Sequence, residues 1–289
     1  MKRFIVVLAV LLFLLSGCVP AENAEIAATT LPVYEFTVRL CEGTDLQVTR
    51  LVTESVSCLH DYTLQVSQMR AIEGAKTIVI SGAGLEDFLH DALEGKGDPI
   101  EAAHGMELLC PTEEHDHEDG HHHHEGDPHI WLSPIHAKSM AQNIYDGLCK
   151  EYPEFTAIFS ANLADLIADL DELQAYGESQ LAALSTRELV TFHDGFSYFA
   201  EAFDLTILKA VEEESGAEAS ASELIELIQL VQQHNLPAIF TESNGADAAA
   251  KIIAAETGVS LYSLDMAMSG TSYFEAMYHN IDTIKEALG

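Results

Sequence analysis

Between Glu113 and Asp127 the chain reads EEHDHEDGHHHHEGD: six histidines (His115, His117, His121, His122, His123 and His124) and seven acids, with no apolar residue. Neutral imidazoles beside carboxylates make a weak, adaptable cation binder. A segment with nothing to bury predicts a mobile surface loop, not part of a core. Its internal position and interrupting acids argue against an expression tag. The composition points the same way. Thirteen Lys plus Arg against 47 Asp plus Glu give a formal net charge of −34. That balance cannot neutralise a phosphate backbone, so no nucleic-acid partner is expected, and it provides no basic surface for anionic lipid. It can attract cations. A hydrophobic fraction of 48% rules out wholesale disorder.

The chain opens with Lys2 and Arg3, then twelve apolar residues from Phe4 to Leu15, then Ser16-Gly17-Cys18. That run is too short to span a bilayer and suits a secretory signal. Leu15-Ser16-Gly17-Cys18 resembles the bacterial lipobox, which implies removal of residues 1–17 and lipid attachment at Cys18. Four cysteines remain: Cys41, Cys58, Cys110 and Cys149. An exported protein can keep disulfides, and Cys41–Cys58 with Cys110–Cys149 is the most local of three pairings. Free buried thiols are the alternative.

Directly after the histidine-rich run comes Asp127-Pro128-His129-Ile130-Trp131-Leu132-Ser133-Pro134. With it, Cys58-Leu59-His60-Asp61-Tyr62 and Val190-Thr191-Phe192-His193-Asp194, running on to Phe199, resemble the metal-binding lipoproteins of bacterial ABC importers, in their zinc-uptake (ZnuA-like) branch. The resemblance covers essentially all of the mature chain. It implies that His60, His129 and His193 are metal ligands and that Asp265, after the last strand, completes the site. It also implies that Glu242 orients a histidine ring. Two departures stand out: Val56-Ser57-Cys58-Leu59 replaces the Gly- or Pro-rich turn before the first histidine, and Leu264-Asp265-Met266-Ala267 replaces L-D-P-L. Three imidazoles and a carboxylate at about 2.0–2.1 Å would form a closed tetrahedral shell suited to Zn2+. The resemblance further implies that related manganese binders carry an acid where His193 stands. The other five histidines, His90, His104, His136, His234 and His279, read as surface or hydrogen-bonded residues.

His60, His129 and His193 are separated by 69 and 64 residues, so no helical spacing joins them. They can meet only where strand ends of two lobes face each other. Strand-like runs fall at Glu25–Thr29, Leu46–Val52, Thr77–Ser81 and Glu107–Leu109, and again at Glu188–Phe192, Thr206–Ala210, Ala238–Thr241 and Ser260–Leu264. Helical patterns at Val66–Glu73, Leu85–Leu93, Ser222–His234 and Ala246–Thr257 alternate with them. The expected fold class is α/β: two (β/α)4-type lobes with parallel sheets and the metal site in the cleft. From Glu154 to about Leu184 apolar residues recur at helical spacing with no proline, which predicts one rigid helix of roughly 45 Å joining the lobes. The expected organisation is a signal peptide over 1–17, an N-terminal lobe over 18–150 containing the loop 113–127, a linking helix over 151–185 and a C-terminal lobe over 186–289. Gly82-Ala83-Gly84 is too short for a dinucleotide fingerprint and reads as a tight turn.

The expected function is a zinc receptor, monomeric and lipid-anchored outside the cytoplasmic membrane, delivering Zn2+ to an ABC permease and its ATPase. It is not expected to be an enzyme. The alternatives are a manganese or iron receptor of the same family, a surface adhesin and, further off, a zinc hydrolase. A hydrolase needs an exchangeable water and a general base on the metal, and no HExxH spacing occurs.

Overall fold

The computed structural model describes residues 24–54, 59, 62–109, 126–211, 220–245 and 247–289. Its first sheet comprises β1 (Ile26–Ala28), β2 (Val48–Arg50), β3 (Thr77–Ile80) and β4 (Ile100–Glu101) in the order β2-β1-β3-β4. The second comprises β5 (Glu188–Thr191), β6 (Thr206–Ala210), β7 (Ala238–Glu242) and β8 (Ser260–Leu264) in the matching order β6-β5-β7-β8. Every pairing is parallel. Strands covered on both faces need continuous apolar sequence, and β1 (Ile-Ala-Ala) and β7 (Ala-Ile-Phe-Thr-Glu) are buried at every position. In each lobe the first strand is central and the chain turns to opposite sides of it. Loops at the carboxyl ends of such strands are where ligands bind.

Eight α-helices are described: α1 (Leu31–Cys41), α2 (Val66–Gly74), α3 (Pro134–Glu151), α4 (Thr156–Gln180), α5 (Ser197–Ala202), α6 (Ala221–His234), α7 (Ala248–Thr257) and α8 (Tyr273–Leu288). The joining helix α4 has 25 residues, about 37 Å. It is shorter than the expected span because Pro153–Phe155 forms a separate 3-10 turn. Tyr152, the residue before that proline, is pushed out of the helical region (φ −135°, ψ 62°). The helix packs against α1 and α3 on one side and α8 on the other. Asn162 Nδ2 caps the end of α1 by donating to Leu40 O (2.8 Å) and Glu42 O (2.9 Å). Gly177 is required by space: a Cβ there would lie 2.2 Å from the Phe203 ring.

One continuous core runs through both lobes, from Ile26 and Phe36 through Trp131 and Phe159 to Phe199 and Ile284, with a smaller cluster beyond each sheet. Polar bonds stitch the same seam. The Glu35 carboxylate of α1 accepts from the Tyr273 N–H at the start of α8 (2.6 Å) and from the Ser272 hydroxyl (3.3 Å). Phe36 meets the Tyr273 ring edge-on at 5.1 Å. Leu31 N–H donates to Met268 O (3.2 Å) and Arg50 to Gly270 O (2.8 Å).

At the carboxyl ends of β1 and β3, Glu86 is buried and accepts from Thr29 Oγ1 (2.6 Å), Ser81 N–H (2.7 Å) and Gly82 N–H (2.9 Å). Burial raises its carboxyl above the usual carboxylate range against the pull of those donors. They pin the expected tight turn, in which Gly82, Ala83 and Gly84 all have positive φ (85°, 55° and 79°).

Two expectations are corrected. The fourth strand is Ile100–Glu101, not Glu107–Leu109. Val79 pairs with Ile100, and Leu109 instead bonds Asp127 and Tyr198. The disulfides expected at Cys41 and Cys149 are absent: both are free thiols. Cys41 is the last residue of α1 and is buried in the core, which pushes its thiol up to about 12. Their expected partners, Cys58 and Cys110, lie outside the described residues. No described helix is long and apolar enough to cross a membrane.

If the Glu35 cap holds the lobes in register, Glu35→Ala should lower unfolding free energy by about 1–2 kcal/mol, as loss of a helix-cap acceptor does. Denaturant unfolding measures this, and an unchanged midpoint would refute the cap.

Candidate metal centre

The first ligand candidate is built by a turn. Asp127 N–H donates to Leu109 O (2.8 Å), closing the two described ends of the histidine-rich segment against each other. Asp127 Oδ1 then accepts from the His129 backbone N–H (2.9 Å) and lies 2.8 Å from His129 Nδ1. Asp side chains favour this i to i+2 bond, and Pro128 between them narrows the turn's conformations. A carboxylate only accepts, so Nδ1 carries the ring proton and Nε2 keeps its lone pair for a metal. His129 is 6% exposed and stands at the entrance to the 3-10 turn Ile130–Leu132.

Trp131 fixes that turn to the opposite lobe. It is fully buried, its ring lies 5.4 Å from that of His129, and its Nε1–H donates to Met266 O (2.7 Å). Tyr273 O–H donates to Trp131 O (2.7 Å).

His193 follows β5 by two residues and is also 6% exposed. Its ring centroid lies 5.3 Å from that of His129, with the planes 83° apart. Two imidazoles brought edge to face from different lobes can share one small ion. Behind His193, Glu242 at the end of β7 places Oε2 3.6 Å from Nδ1, with the Glu242 side chain 3% exposed. Glu242 thus lies beside the His193 ring. Gly195 lets the loop close: a Cβ there would lie 2.4 Å from Met266 Cε and 2.7 Å from His193 Cδ2.

Asp265 follows β8 and is half-buried. Its Oδ1 accepts from Ala267 N–H (2.7 Å), and its main chain pairs twice with the Asn280 side chain, at 2.7 Å each. Among the described residues no hydrogen bond or ion pair joins its carboxylate to His129 or His193. His60, Cys18 and the six loop histidines lie outside the described residues, so the described part holds no cluster of three ligand side chains. The flanks of the His60 segment are tied together. Tyr62 O–H donates to Glu54 Oε2 (2.7 Å) and Gln68 Nε2 to Leu51 O (2.8 Å). The Tyr62 bond holds the Glu54 carboxyl below its usual range.

Three of the histidines read as ordinary have protein partners: His90 with Asp91, His136 with Ser133 and His234 with Glu188. Asp127 was missed, having been counted only among the loop's acids. The signal was present, since an acid two residues before a ligand histidine, across a proline, is an Asx turn in waiting. Its Oδ2 is buried with no hydrogen-bond partner among the described residues. An uncompensated buried carboxylate is costly, and a cation on the far nitrogen of His129 would offset it. The donor set thus fits a metal ion.

Fold and geometry together define a two-lobed α/β protein in which His129 and His193 face each other from opposite lobes. The family described as zinc-uptake complex component A, periplasmic (ZnuA), matches residues 26–287, and this chain belongs to it. Membership makes it a component of an uptake complex and not an enzyme. It is 32% identical over 308 residues to the zinc-binding lipoprotein AdcA of Streptococcus pneumoniae (strain ATCC BAA-255 / R6), covering 99% of this chain but 61% of that protein. A crystal structure of ZnuA superimposes with a TM-score of 0.80 at 27% identity, over 92% of this chain and all of that one. The Zn(II)-bound ZnuA-like domain of S. pneumoniae AdcA does so with 0.75 at 28% identity, over 92% and 99%.

Asp127→Asn keeps the size of the side chain but weakens the bond to Nδ1. Loss of such an outer carboxylate should weaken metal binding by about 10- to 100-fold. Chelator competition measures this; wild-type affinity in a folded variant would remove Asp127 from the site.

Proposed function

We propose that this chain is the extracytoplasmic zinc receptor of an ABC uptake system, capturing Zn2+ on His60, His129 and His193 and passing it to a membrane permease driven by an ATPase. The observation that carries the reading is the pair His129–His193: two buried imidazoles from different lobes, 5.3 Å apart, each with a carboxylate at Nδ1. The Asp127 bond leaves Nε2 of His129 as the metal-facing nitrogen, and the negative charge of Glu242 beside Nδ1 of His193 favours the same arrangement there. His60 supplies the third nitrogen from the segment flanked by Glu54 and Tyr62. Asp265 supplies a fourth donor through the carboxylate oxygen that the Ala267 turn does not use.

In this reading residues 1–17 direct export, Cys18 carries the lipid anchor, and the protein works as a monomer at the membrane surface. The name of the AdcA relative, a zinc-binding lipoprotein, supports the anchor. The histidine-rich segment 113–127 collects zinc at lower affinity beside the cleft. In this reading the N-terminal lobe runs to residue 150, the linking region over 151–185 and the C-terminal lobe over 186–289.

Metal analysis under competition among zinc, manganese and iron tests the assignment: the wild type should retain one tight zinc, and His129→Ala should lose it. Equal retention by both would place the ion elsewhere. Protons compete with zinc for imidazole nitrogen, so affinity should fall between pH 7.5 and 5, and a flat profile in calorimetry would contradict a histidine site. Deleting residues 113–126 should lower zinc stoichiometry but spare the tightest ion. Loss of that ion would make the loop the primary site.

A further inference from the structure

Tyr198 lies in α5, five residues beyond His193, and is fully buried. Its hydroxyl accepts from Leu109 N–H (2.9 Å) and donates to Asp127 O (3.1 Å). Asp127 N–H in turn donates to Leu109 O (2.8 Å). One phenol therefore closes a three-membered ring of hydrogen bonds at the root of the histidine-rich segment. Both N-terminal-lobe members of that ring are held by a side chain from the helix that follows His193. The ring of Tyr198 is itself braced by His136, edge-on at 5.0 Å, whose Nδ1 lies 3.0 Å from Ser133 Oγ. Burial pushes the phenol up to about 12, so the hydroxyl stays protonated at physiological pH and can donate and accept together.

The Asp127 carboxylate is aimed at His129 by this main chain. A residue whose N–H and C=O are both anchored has little freedom to swing its side chain. We propose that Tyr198 is a positioning residue for the metal site, acting through Asp127 to hold the His129 ring with Nε2 toward the ion. The proposal depends on the zinc reading above and deepens it. It also explains why His136, otherwise an ordinary hydrogen-bonded histidine, lies against the same phenol.

Tyr198→Phe removes the hydroxyl and keeps the ring that packs on His136. In the full chain, zinc dissociation into excess chelator should accelerate about three- to tenfold, less than for loss of the outer carboxylate itself because Tyr198 stands one bond further out. If the path runs through Asp127, the double variant Tyr198→Phe/Asp127→Asn should dissociate no more than about twice as fast as Asp127→Asn alone, since effects along one path are not additive. Imidazole 15N spectra of the zinc-free protein, with His129 assigned by its loss in His129→Ala, should show the Nδ1–H tautomer in wild type and a mixture in Tyr198→Phe. A purely structural role would lower the melting temperature and leave that signature unchanged. Wild-type dissociation and tautomer in Tyr198→Phe, or fully additive losses in the double variant, would overturn the proposal. Absence of tight zinc in the wild type, or its full retention by His129→Ala, would instead overturn the zinc site.

Discussion

A neutral imidazole can present either nitrogen, and only a fixed partner decides which. In this protein the partner is a buried carboxylate at Nδ1: Asp127 at 2.8 Å for His129 and Glu242 at 3.6 Å for His193. Asp127 orients the His129 ring and selects its tautomer through a hydrogen bond, whereas Glu242 stands in ion-pair range of His193. Removing two such acids from water is expensive, and positive charge at the rings would offset part of that cost. A bound divalent ion supplies it. Two buried carboxylates behind the rings make an electrostatic demand that the proposed cargo would satisfy.

Meeting it with rings from two lobes requires that the lobes hold their spacing to fractions of an ångström. The continuous core supplies most of the energy for this, because separating the lobes would expose aromatic surface at Phe36, Trp131 and Tyr273. Directional bonds supply the register. Trp131 to Met266, Tyr273 to Trp131 and Glu35 to the start of α8 join the faces on which His129 and His193 stand. Helix α4 lies against α1, α3 and α8 and behaves as part of the seam, not as a tether across it. A hinge that opened the cleft widely would have to break core packing, so the exchangeable part of such a site belongs to its loops.

Much of this was legible in the sequence because it depends on short-range pattern. Seven of the eight strands fall on the expected runs: β1, β3, β5 and β7 are largely buried, while β2, β6 and β8 are partly exposed and show as short runs of strand-forming residues. β4 escaped because two residues at a sheet edge carry no periodicity, whereas Glu107–Leu109 looks strand-like but spends its groups on the loop root. Glu242 was reached through the family resemblance, one residue past the expected strand Ala238–Thr241. Asp127 had its signal in the Asp-Pro-His spacing, but that two-residue turn sits at the end of a run of acids whose composition pointed to weak cation binding by the whole segment. The cysteine count invited disulfides, but parity says nothing about direction, and the helical phase of α1 turns Cys41 into the core. Tyr198 carries no sequence signal of its own. Its bonds join residues 71 and 89 positions away, a separation no local pattern encodes.

The same geometry bears on which ion is held. Affinity for nitrogen donors rises along the first-row divalent series toward copper and stays high at zinc, while manganese sits at the weak end and favours oxygen. A cleft that offers three imidazole nitrogens and a single carboxylate donor, with Asp127 and Glu242 behind the rings, would discriminate against the oxygen-seeking ions by donor type. It does so without needing a rigid cavity diameter. Turning Asp127 or Glu242 inward as a direct ligand would raise the oxygen count and erode that preference. The turn at Asp127 and the strand end at Glu242 place both acids on the Nδ1 side of their rings, so in the proposed zinc site neither would add an oxygen to the ion.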